Sequence, residues 1–244
     1  MYLTRFRFNT NRTGSRRLLS SPQVLHAAVM GCFPEILPSD PGGPRVLWRL
    51  DRNSRAEVLL YVVSPNRPLM DDLMEQAGWK NVDDPERVWR SHDYTGFLDR
   101  LAKGQTWAFR LTANPVHSIR RKDGEPTKVT AHVTPRHQAG WLIQRQDASG
   151  FAIVRKPSDQ QLLPGEDEYE LTVHDRNAAG FDKPDPRPDR KGKRMRVPIV
   201  KATFDGRLTV TDPDALRRVL CAGIGRAKAY GCGLMTLAPV EVGR

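Results

Sequence analysis

The sequence is short of cysteine and has no long apolar run, and each shortage excludes a class of protein. Its three cysteines, Cys32, Cys221 and Cys232, are scattered and odd in number, which argues against a disulfide framework and suits a reducing cytoplasm. No apolar stretch approaches the ~20 residues of a membrane span. The first residues also lack the apolar core of a signal peptide. We therefore expect a cytoplasmic protein that contacts no membrane.

Metal ligands in a recognisable spacing are missing as well. The cysteines form no Cys-x-x-Cys pair, and His132 and His137 stand on opposite sides of a boundary between a predicted strand and a predicted helix. No cluster of acidic residues resembles a two-metal nuclease site. We therefore expect no metal and no other cofactor.

Acidic residues are absent from the first 26 positions, and this shortage locates the charge of the protein. The 244 residues carry a formal net charge of +11. Residues 1–26 contain five arginines and no acid, while residues 187–201 contain seven basic residues and one acid, so these two patches account for the whole excess. Such a distribution is typical of a protein that binds a polyanion, most often a nucleic acid. A soluble protein with solvated basic faces remains the alternative.

The first half of the chain has the pattern of a split β-α-β unit. Residues 2–8 alternate and predict a strand, and the polar stretch 9–20 is expected to be a loop. Ser21-Pro22 combines a cap residue with proline at the first helical position, and it predicts a helix that ends before Pro34. The remaining predicted elements are strands at 46–51, 57–63 and 107–112 and a helix at 94–103. Their order, β-α-β-β-α-β, is that of a ferredoxin-like domain.

The second half repeats this order with an insertion. Thr134-Pro135 and Asp212-Pro213 predict helix starts, residues 175–193 are expected to be a loop, and Asp205-Gly206 predicts a hairpin turn. The predicted strands are 128–133, 151–155, 169–174, 195–204, 208–211 and 234–237. We therefore predict an α+β fold of tandem ferredoxin-like (RRM-like) domains. The predicted boundaries are 1–115 for the first domain, 116–127 for a linker, and 128–244 for the second domain with an inserted basic β-hairpin.

One histidine stands out as a candidate for proton transfer. His26 falls on the polar side of the first predicted helix, together with Gln23 and Met30. A partly solvated imidazole titrates near neutrality and can both take and give a proton. From this helix alone, an ordinary surface histidine is the simpler interpretation.

Two further segments are candidates for contact with phosphates. The glycine-rich loop 223–233 lacks the third glycine of the Rossmann pattern and the Gly-Lys-Ser/Thr triplet of a P-loop. Its backbone N–H groups and cations could nevertheless face phosphates, or the loop could be only a tight helix-to-strand connection. The basic stretch 190–196 could lie along a nucleic-acid backbone or form a solvated turn.

Three segments of the chain, in this order, resemble the CasE family. They are MYLTRFRFN followed by SPQVLH, then FRLTANP, and then GIGRAKAYGCG followed by LMTLAP. This family comprises the repeat-processing endoribonucleases of type I-E CRISPR systems. The resemblance implies tandem ferredoxin-like domains and metal-free cleavage of the CRISPR precursor at the 3′ base of the repeat stem-loop. It also implies a protein that is monomeric when free, with CRISPR repeat stem-loop RNA and the other Cascade subunits as partners.

The resemblance also implies roles for individual residues. His26 matches the catalytic histidine of the family, and 187–201 matches a basic hairpin that engages the major groove of the stem. Gln23 stands where several members have a tyrosine; it can position a substrate but cannot exchange a proton. The residues expected to bind RNA are Arg16, Arg17, Arg190, Lys191, Lys193, Arg194, Arg196, Gly223, Gly225, Arg226, Lys228, Gly231 and Gly233.

The expected reaction is attack of a 2′-OH on the adjacent phosphate, which leaves a 2′,3′-cyclic phosphate. His26 would be general base or general acid, and Arg16, Arg17 or Lys228 would stabilise the charge of the phosphorane. The main alternative is a non-catalytic RNA-binding scaffold subunit of a CRISPR ribonucleoprotein, which Gln23 favours and His26 opposes. A DNA-binding protein is disfavoured because the sequence has no helix-turn-helix or zinc motif.

Overall fold

A computed structural model describes residues 1–35, 43–80, 82–119, 128–163, 167–184 and 194–240; for 85, 179, 181–184 and 194–198 it describes the backbone alone. The N-terminal part forms a four-stranded antiparallel sheet in the order β2-β3-β1-β4. Its strands are β1 (Tyr2–Arg7), β2 (Leu47–Arg52), β3 (Val58–Ser64) and β4 (Trp89–Asp93). The helices of this part are α1 (Thr13–Ser20), α2 (Pro22–Gly31), α3 (Asp71–Ala77) and α4 (Thr95–Asp99).

The C-terminal part is built around a second antiparallel sheet, in the order β11-β5-β10-β8, with β9 paired to β10. Its strands are β5 (Thr106–Ala113), β8 (Phe151–Ile153), β9 (Leu171–Pro184), β10 (Arg194–Val210) and β11 (Met235–Ala238), and its helices are α5 (Pro135–Ile143) and α6 (Pro213–Ala222). Between β5 and α5, β6 (Val116–Ile119) and β7 (Lys128–Ala131) form a separate two-stranded sheet. Single 3₁₀ turns occupy Pro85–Arg87, Asp147–Ser149, Ser158–Gln160 and Lys228–Tyr230.

The predicted tandem of ferredoxin-like domains is confirmed. Strands β1 to β4 with their helices follow the chain order β-α-β-β-α-β, and β5-α5-β8-β10-α6-β11 repeats it. In both sheets the four strands are arranged in the same way, with the first strand of the unit between the fourth and the third. Strand β9 is the addition that makes β10 one arm of a long hairpin.

The assignment of elements to the first domain was wrong in two places. Residues 13–20 form α1 rather than a loop, because Ser15 and Leu18 pack inward although the segment is polar overall. The first domain is completed by α3 and β4, and the strand expected to complete it is β5, which pairs with β10 and β11 in the second sheet. The strand expected to open the second domain is β7, which among the described strands pairs with β6 and not with the second sheet. The pairings thus place β5 in the second sheet, while the domain boundaries at 115 and 128 stay a prediction.

The hairpin turn predicted at Asp205-Gly206 was also wrong. Strand β10 continues through both residues and pairs with β5 on one side and β9 on the other. A Cβ atom at Gly206 would lie 2.2 Å from the carbonyl oxygen of Glu170, so glycine here permits close approach of a neighbouring backbone. The hairpin is instead formed by β9 and β10, which makes 171–184 strand rather than the expected loop from 175 onwards. Residues 185–193 lie outside the described part.

The three helix starts predicted from a cap residue followed by proline are confirmed at α2, α5 and α6. Thr134 accepts a hydrogen bond from the backbone N–H of His137, and Asp212 accepts from the N–H groups of Asp214 and Ala215. Ser21 makes no such side-chain bond, so proline and the packing of α2 define that start.

The buried apolar side chains of the described residues form two clusters, and one of them joins the domains. Phe6, Leu25 and Trp48 belong to a cluster within the first domain, whereas Leu47 packs with second-domain residues such as Leu111. Neighbouring residues of β2 therefore face different cores. All three cysteines are free and buried. Among the described helices, none has the length and apolar character that crossing a membrane requires.

A buried arginine provides the polar link between the sheets. Arg49, only 2% exposed, donates to both carboxylate oxygens of Asp51 at 2.7 and 2.9 Å. It also donates to the carbonyl oxygens of Arg110 and Leu234 at 2.7 and 3.3 Å and to Oγ1 of Thr236 at 2.9 Å. Because β2 belongs to the first sheet and these acceptors to the second, Arg49 holds the two domains in one arrangement.

Candidate nucleic-acid interface and active site

His26 lies partly buried on α2, between the core face of the helix and its solvent face. Leu25 and Val29 are buried, while Gln23 and Met30 are exposed. Nδ1 of His26 accepts a hydrogen bond from Nε1 of Trp48 at 3.4 Å. Burial lowers the pKa of His26 from its ordinary value of 6.5. At neutral pH the ring is therefore neutral, and because an indole N–H only donates, its proton is on Nε2.

Trp48 is the contact of His26 that the sequence analysis missed. It is 1% exposed, and the φ of +77° at Gly231 lets the glycine-rich loop approach it; a Cβ there would lie 2.5 Å from the indole. The Nζ atom of Lys201 lies 5.8 Å from the centre of the same ring. Two segments of the second domain therefore pack on the residue that contacts His26. In sequence, Trp48 is only one large apolar residue of a strand.

Removing the Trp48 indole donor is expected to raise the pKa of His26. In Trp48→Phe, Nδ1 loses a hydrogen bond that only the neutral ring accepts, so the imidazole becomes easier to protonate. The histidine titration followed by NMR should show a midpoint below 6.5 in the wild type and a higher midpoint in the variant. Trp79→Phe, which changes an indole of the same domain that does not contact His26, should leave the midpoint unchanged. An unshifted titration midpoint in Trp48→Phe would show that the hydrogen bond from Trp48 does not influence the pKa of His26.

The glycine-rich loop 223–233 uses most of its glycine N–H donors inside the protein. The N–H groups of Gly223, Gly231 and Gly233 donate to the carbonyl oxygens of Val219, Lys228 and Thr112. Gly225 approaches Trp141, where a Cβ atom would lie 2.9 Å from the ring. This geometry favours a packing role for the glycines, and RNA contact through them stays a prediction.

The cations of α1 and of the loop are more accessible. Arg16 and Arg17 are exposed on α1, which contacts α2 and thus lies close to the helix of His26. Arg226 is exposed, and Lys228 is half-buried, with a pKa lowered by burial and by the charge of Arg45. The structure therefore brings Arg16 and Arg17 to the helix pair that carries His26, while their contact with RNA stays a prediction.

The basic stretch of the second domain belongs to the β9–β10 hairpin. The backbone of Arg194 pairs with Pro184, and that of Arg196 pairs with Asp182. Arg190, Lys191 and Lys193, which we also expect to bind RNA, lie outside the described residues. Among the described strands, β10 pairs from 194 to 201 with β9 alone, whereas from Ala202 it also pairs with β5. The basic stretch thus extends beyond the sheet on a two-stranded arm.

A cavity of about 500 Å³ lies where the α1–α2 junction, β2 and the base of this arm meet. Its charged lining residues are Arg52, Asp175, Arg176 and Lys201, and Trp48 forms part of its wall. A second cavity of about 340 Å³ shares Leu50, Arg52, Asp175 and Thr203 with the first. It extends to an ion network in which Asp205 accepts from Arg110 at 2.7 and 2.5 Å and lies 3.0 Å from Nε2 of His174.

Three histidines lie together away from these cavities. The rings of His117 and His132 are 4.3 Å apart, and those of His132 and His137 are 6.0 Å apart. Over the described ranges, no group of three or more His, Cys, Asp or Glu side chains is arranged to hold a metal ion.

The fold and the site together define a tandem ferredoxin-like protein with a histidine-bearing helix, a basic hairpin and a cationic cavity at its domain junction. The sequence model of the family described as CRISPR associated protein matches residues 1–239. The chain therefore belongs to this family.

Two curated relatives are similar to the chain. The CRISPR-associated endoribonuclease Cse3 of Thermus thermophilus is 29% identical over 243 residues, which cover 98% of this chain and 100% of the relative. The CRISPR system Cascade subunit CasE of Escherichia coli is 28% identical over 148 residues, which cover 58% of this chain and 62% of the relative.

Solved structures match over almost the whole chain. Thermus thermophilus Cse3 bound to an RNA representing a pre-cleavage complex has a TM-score of 0.70 and 25% identity, covering 98% of both chains. The protein Cas6e from Escherichia coli has a TM-score of 0.57 and 22% identity over 98% of this chain and 100% of the other, and it supports the fold alone.

Proposed function

We propose that the chain is a metal-independent endoribonuclease that cuts CRISPR precursor RNA at the 3′ base of the repeat stem-loop. After cleavage it retains the product RNA as a subunit of Cascade in the cytoplasm, and it is a monomer when free. The observation that carries this proposal is the full-length similarity to an endoribonuclease, in a structure that holds a neutral, partly exposed His26 beside cationic surfaces.

The RNA supplies the nucleophile. The 2′-OH attacks the adjacent phosphorus, the new bond closes a 2′,3′-cyclic phosphate, and the bond to the 5′-oxygen breaks. One proton leaves the 2′-oxygen and one reaches the 5′-oxygen, so the protein needs only to move protons, align the attack and stabilise charge. In-line geometry is rare in a stacked strand, so holding the ribose and phosphate in line is a large part of the acceleration.

His26 transfers one of these protons, and a cation stabilises the phosphorane. A positioned imidazole contributes typically ~10²–10⁴-fold to the rate. The exposed Arg16 and Arg17 on α1 and the half-buried Lys228 are the candidates for the cation. Gln23, exposed one helical turn before His26, positions the ribose or phosphate by hydrogen bonds.

The β9–β10 arm binds the stem. A-form RNA has a deep, narrow major groove that single side chains do not read. Eight residues of β10, Arg194 to Lys201, pair with β9 and with no other described strand, and at about 3.3 Å per residue they extend roughly 25 Å. A thin basic ribbon of this length can enter the groove near the end of the stem, where its cations contact phosphates and set the position of the cut.

Cleavage of the protein's own repeat RNA in the presence of EDTA tests the proposal. Two substrates are compared, one all-ribose and one with 2′-deoxyribose at the scissile nucleotide. We expect cleavage of the first to a 2′,3′-cyclic phosphate and none of the second. Cleavage of the deoxy substrate, or loss of activity in EDTA, would refute the mechanism. Tight binding without cleavage of either substrate would favour the scaffold subunit, the alternative that Gln23 supports.

Binding by the basic arm should depend strongly on salt. Replacing Lys191 with alanine removes one expected phosphate contact, so the slope of log Kd against log salt should fall by roughly one unit or slightly less. Titrations of labelled repeat RNA at several salt concentrations measure this slope. Lys103→Ala, at an exposed position near the start of β5, is the control and should leave the slope unchanged. Equal slopes in all three proteins would remove Lys191 from the interface.

A further inference from the structure

The cavity at the domain junction has no role in the function proposed above. Its lining contains three cations, Arg52, Arg176 and Lys201, and one carboxylate, that of Asp175. The carboxylate lies 3.2 Å from Nδ1 of His174, and the guanidinium of Arg176 donates to the carbonyl oxygen of Val133 at 2.5 Å. Both groups therefore have partners within the protein, and the cavity retains an excess of positive charge.

Lys201 is a partly buried cation, and among the described residues it has no carboxylate as a counter-ion. Its ammonium donates one hydrogen bond to the carbonyl oxygen of Tyr230 and lies over the ring of Trp48. Within the described ranges no carboxylate forms a salt bridge with it. Burial lowers its pKa from the ordinary value, Cys232 acts in the opposite direction, and the neighbouring charge of Arg52 lowers the pKa again. An ammonium has three N–H donors, so two remain for a molecule in the cavity.

An irregularity in the hairpin lies beside this side chain. The pairing of β10 with β9 shifts between Lys201 and Thr203, and Asp175 on β9 adopts a φ of +46°. Such a bulge bends the strands and re-aims side chains, and bulges are frequent beside active sites. Lys201 and Thr203 are two residues apart and both line the cavity, while Ala202 between them is buried in the core.

The site has the chemistry of a phosphate receptor. Partial burial of an ammonium without a carboxylate partner is unfavourable, and an anion that enters the cavity offsets this cost through short charge-assisted hydrogen bonds. Trp48 connects the site to the reaction, because its Nε1 contacts His26 and its ring contacts Lys201. His26 does not line the cavity itself. A phosphate held here is therefore a neighbour of the one that reacts.

We propose that this cavity is a subsite for the RNA strand, in which Lys201 binds a backbone phosphate next to the RNA bond that is cut beside His26. The inference rests on the proposed function. Lys201 is then a phosphate-binding cation in addition to the candidate cations on α1 and in the glycine-rich loop. Lys201 would hold the strand in register rather than transfer a proton.

A chemical double-mutant cycle tests the subsite by binding alone. The repeat RNA carries 2′-deoxyribose at the scissile nucleotide, and neutral methylphosphonates replace, one at a time, the phosphates within three nucleotides of the cut. In the wild type, one replacement near the cut should raise Kd about tenfold or more, the size expected for a hydrogen bond to a charged group. In Lys201→Met the unmodified RNA should bind about tenfold more weakly, and the same methylphosphonate should have no further effect.

Controls separate a lost contact from a damaged fold. Lys103→Met should behave as the wild type, and Lys201→Arg should recover part of the affinity and of the methylphosphonate effect. Each protein is its own reference for modified and unmodified RNA, so a general loss of stability does not reproduce the pattern. Equal methylphosphonate effects in Lys201→Met and wild type would overturn the subsite. Because this RNA is bound and not cut, a failure of the proposed cleavage appears separately, in the all-ribose assay.

Discussion

Replacing His26 with alanine is expected to slow single-turnover cleavage by about 10²–10⁴-fold and to change the affinity for RNA by less than about threefold. The imidazole acts on a proton that moves in the transition state, so its loss affects the rate far more than binding. Cleavage is measured with enzyme in excess, and binding with the 2′-deoxy substrate. His92→Ala, which removes an exposed histidine from β4, is the matched control. Unchanged cleavage in His26→Ala would exclude His26 from the active site.

The pH dependence of cleavage separates the two roles of His26. Its pKa is lowered below 6.5 by burial, so the neutral form predominates at pH 7. If His26 is a general base, the rate stays high at pH 7 and falls as the pH drops through this pKa. If it is a general acid that must start protonated, the rate rises as the pH drops over the same range.

Gln23→Ala should reduce the rate of cleavage less than His26→Ala, because an amide side chain only positions the substrate.

Replacing Asp51 with asparagine is expected to lower the free energy of unfolding by about 3–5 kcal/mol. Asp51 is almost fully buried and is the paired carboxylate of Arg49, so the change leaves a buried guanidinium without its charge partner at the domain junction. Urea unfolding followed by fluorescence measures the loss.

An exposed ion pair provides the control for this effect. Glu86 pairs with Arg90, and both side chains are largely solvent-exposed. Glu86→Gln should therefore cost at most about 1 kcal/mol, the usual range for surface pairs. Similar decreases in the free energy of unfolding in Glu86→Gln and Asp51→Asn would show that the buried pair contributes no more to stability than a surface pair.

Strand β2 connects both predictions. Its consecutive residues Leu47, Trp48 and Arg49 enter the shared apolar core, the contact with His26 and the polar link to the second sheet, respectively. The geometry around His26 therefore depends on the docking of the second domain. We expect Asp51→Asn to disturb cleavage as well as stability, since the same strand positions Trp48.

Local features of the fold were readable from the sequence. Pro22, Pro135 and Pro213 mark helix starts because proline suits the first helical position whatever surrounds it. The alternation of residues 2–8 predicts a strand, since successive side chains point to opposite faces. The polar side of α2 follows from the 3.6-residue period of a helix. Gln23 and Met30 are exposed on that side, and His26 is partly exposed.

Strand pairing and the surroundings of the site were decided only by the tertiary structure. The sequence of β5 predicts a strand but does not say which sheet it joins, and Asp205-Gly206 has the residues of a turn although β10 passes straight through it. Gly206 is explained by the backbone at Glu170, and the contact of Trp48 with His26 joins residues 22 positions apart. Lys201 lines a cavity because α1, α2, β2 and the β9–β10 hairpin meet there, although they are far apart in the sequence.

The sequence by itself determined the helix starts, the strand periodicity, the position of the two basic patches and the presence of His26 on the polar side of a helix. These depend on residues within one or two turns of each other. The tertiary structure decided the domain junction, the contact of His26 with Trp48 and the partial burial of Lys201. Those depend on side chains from distant parts of the chain, whose packing no local pattern encodes.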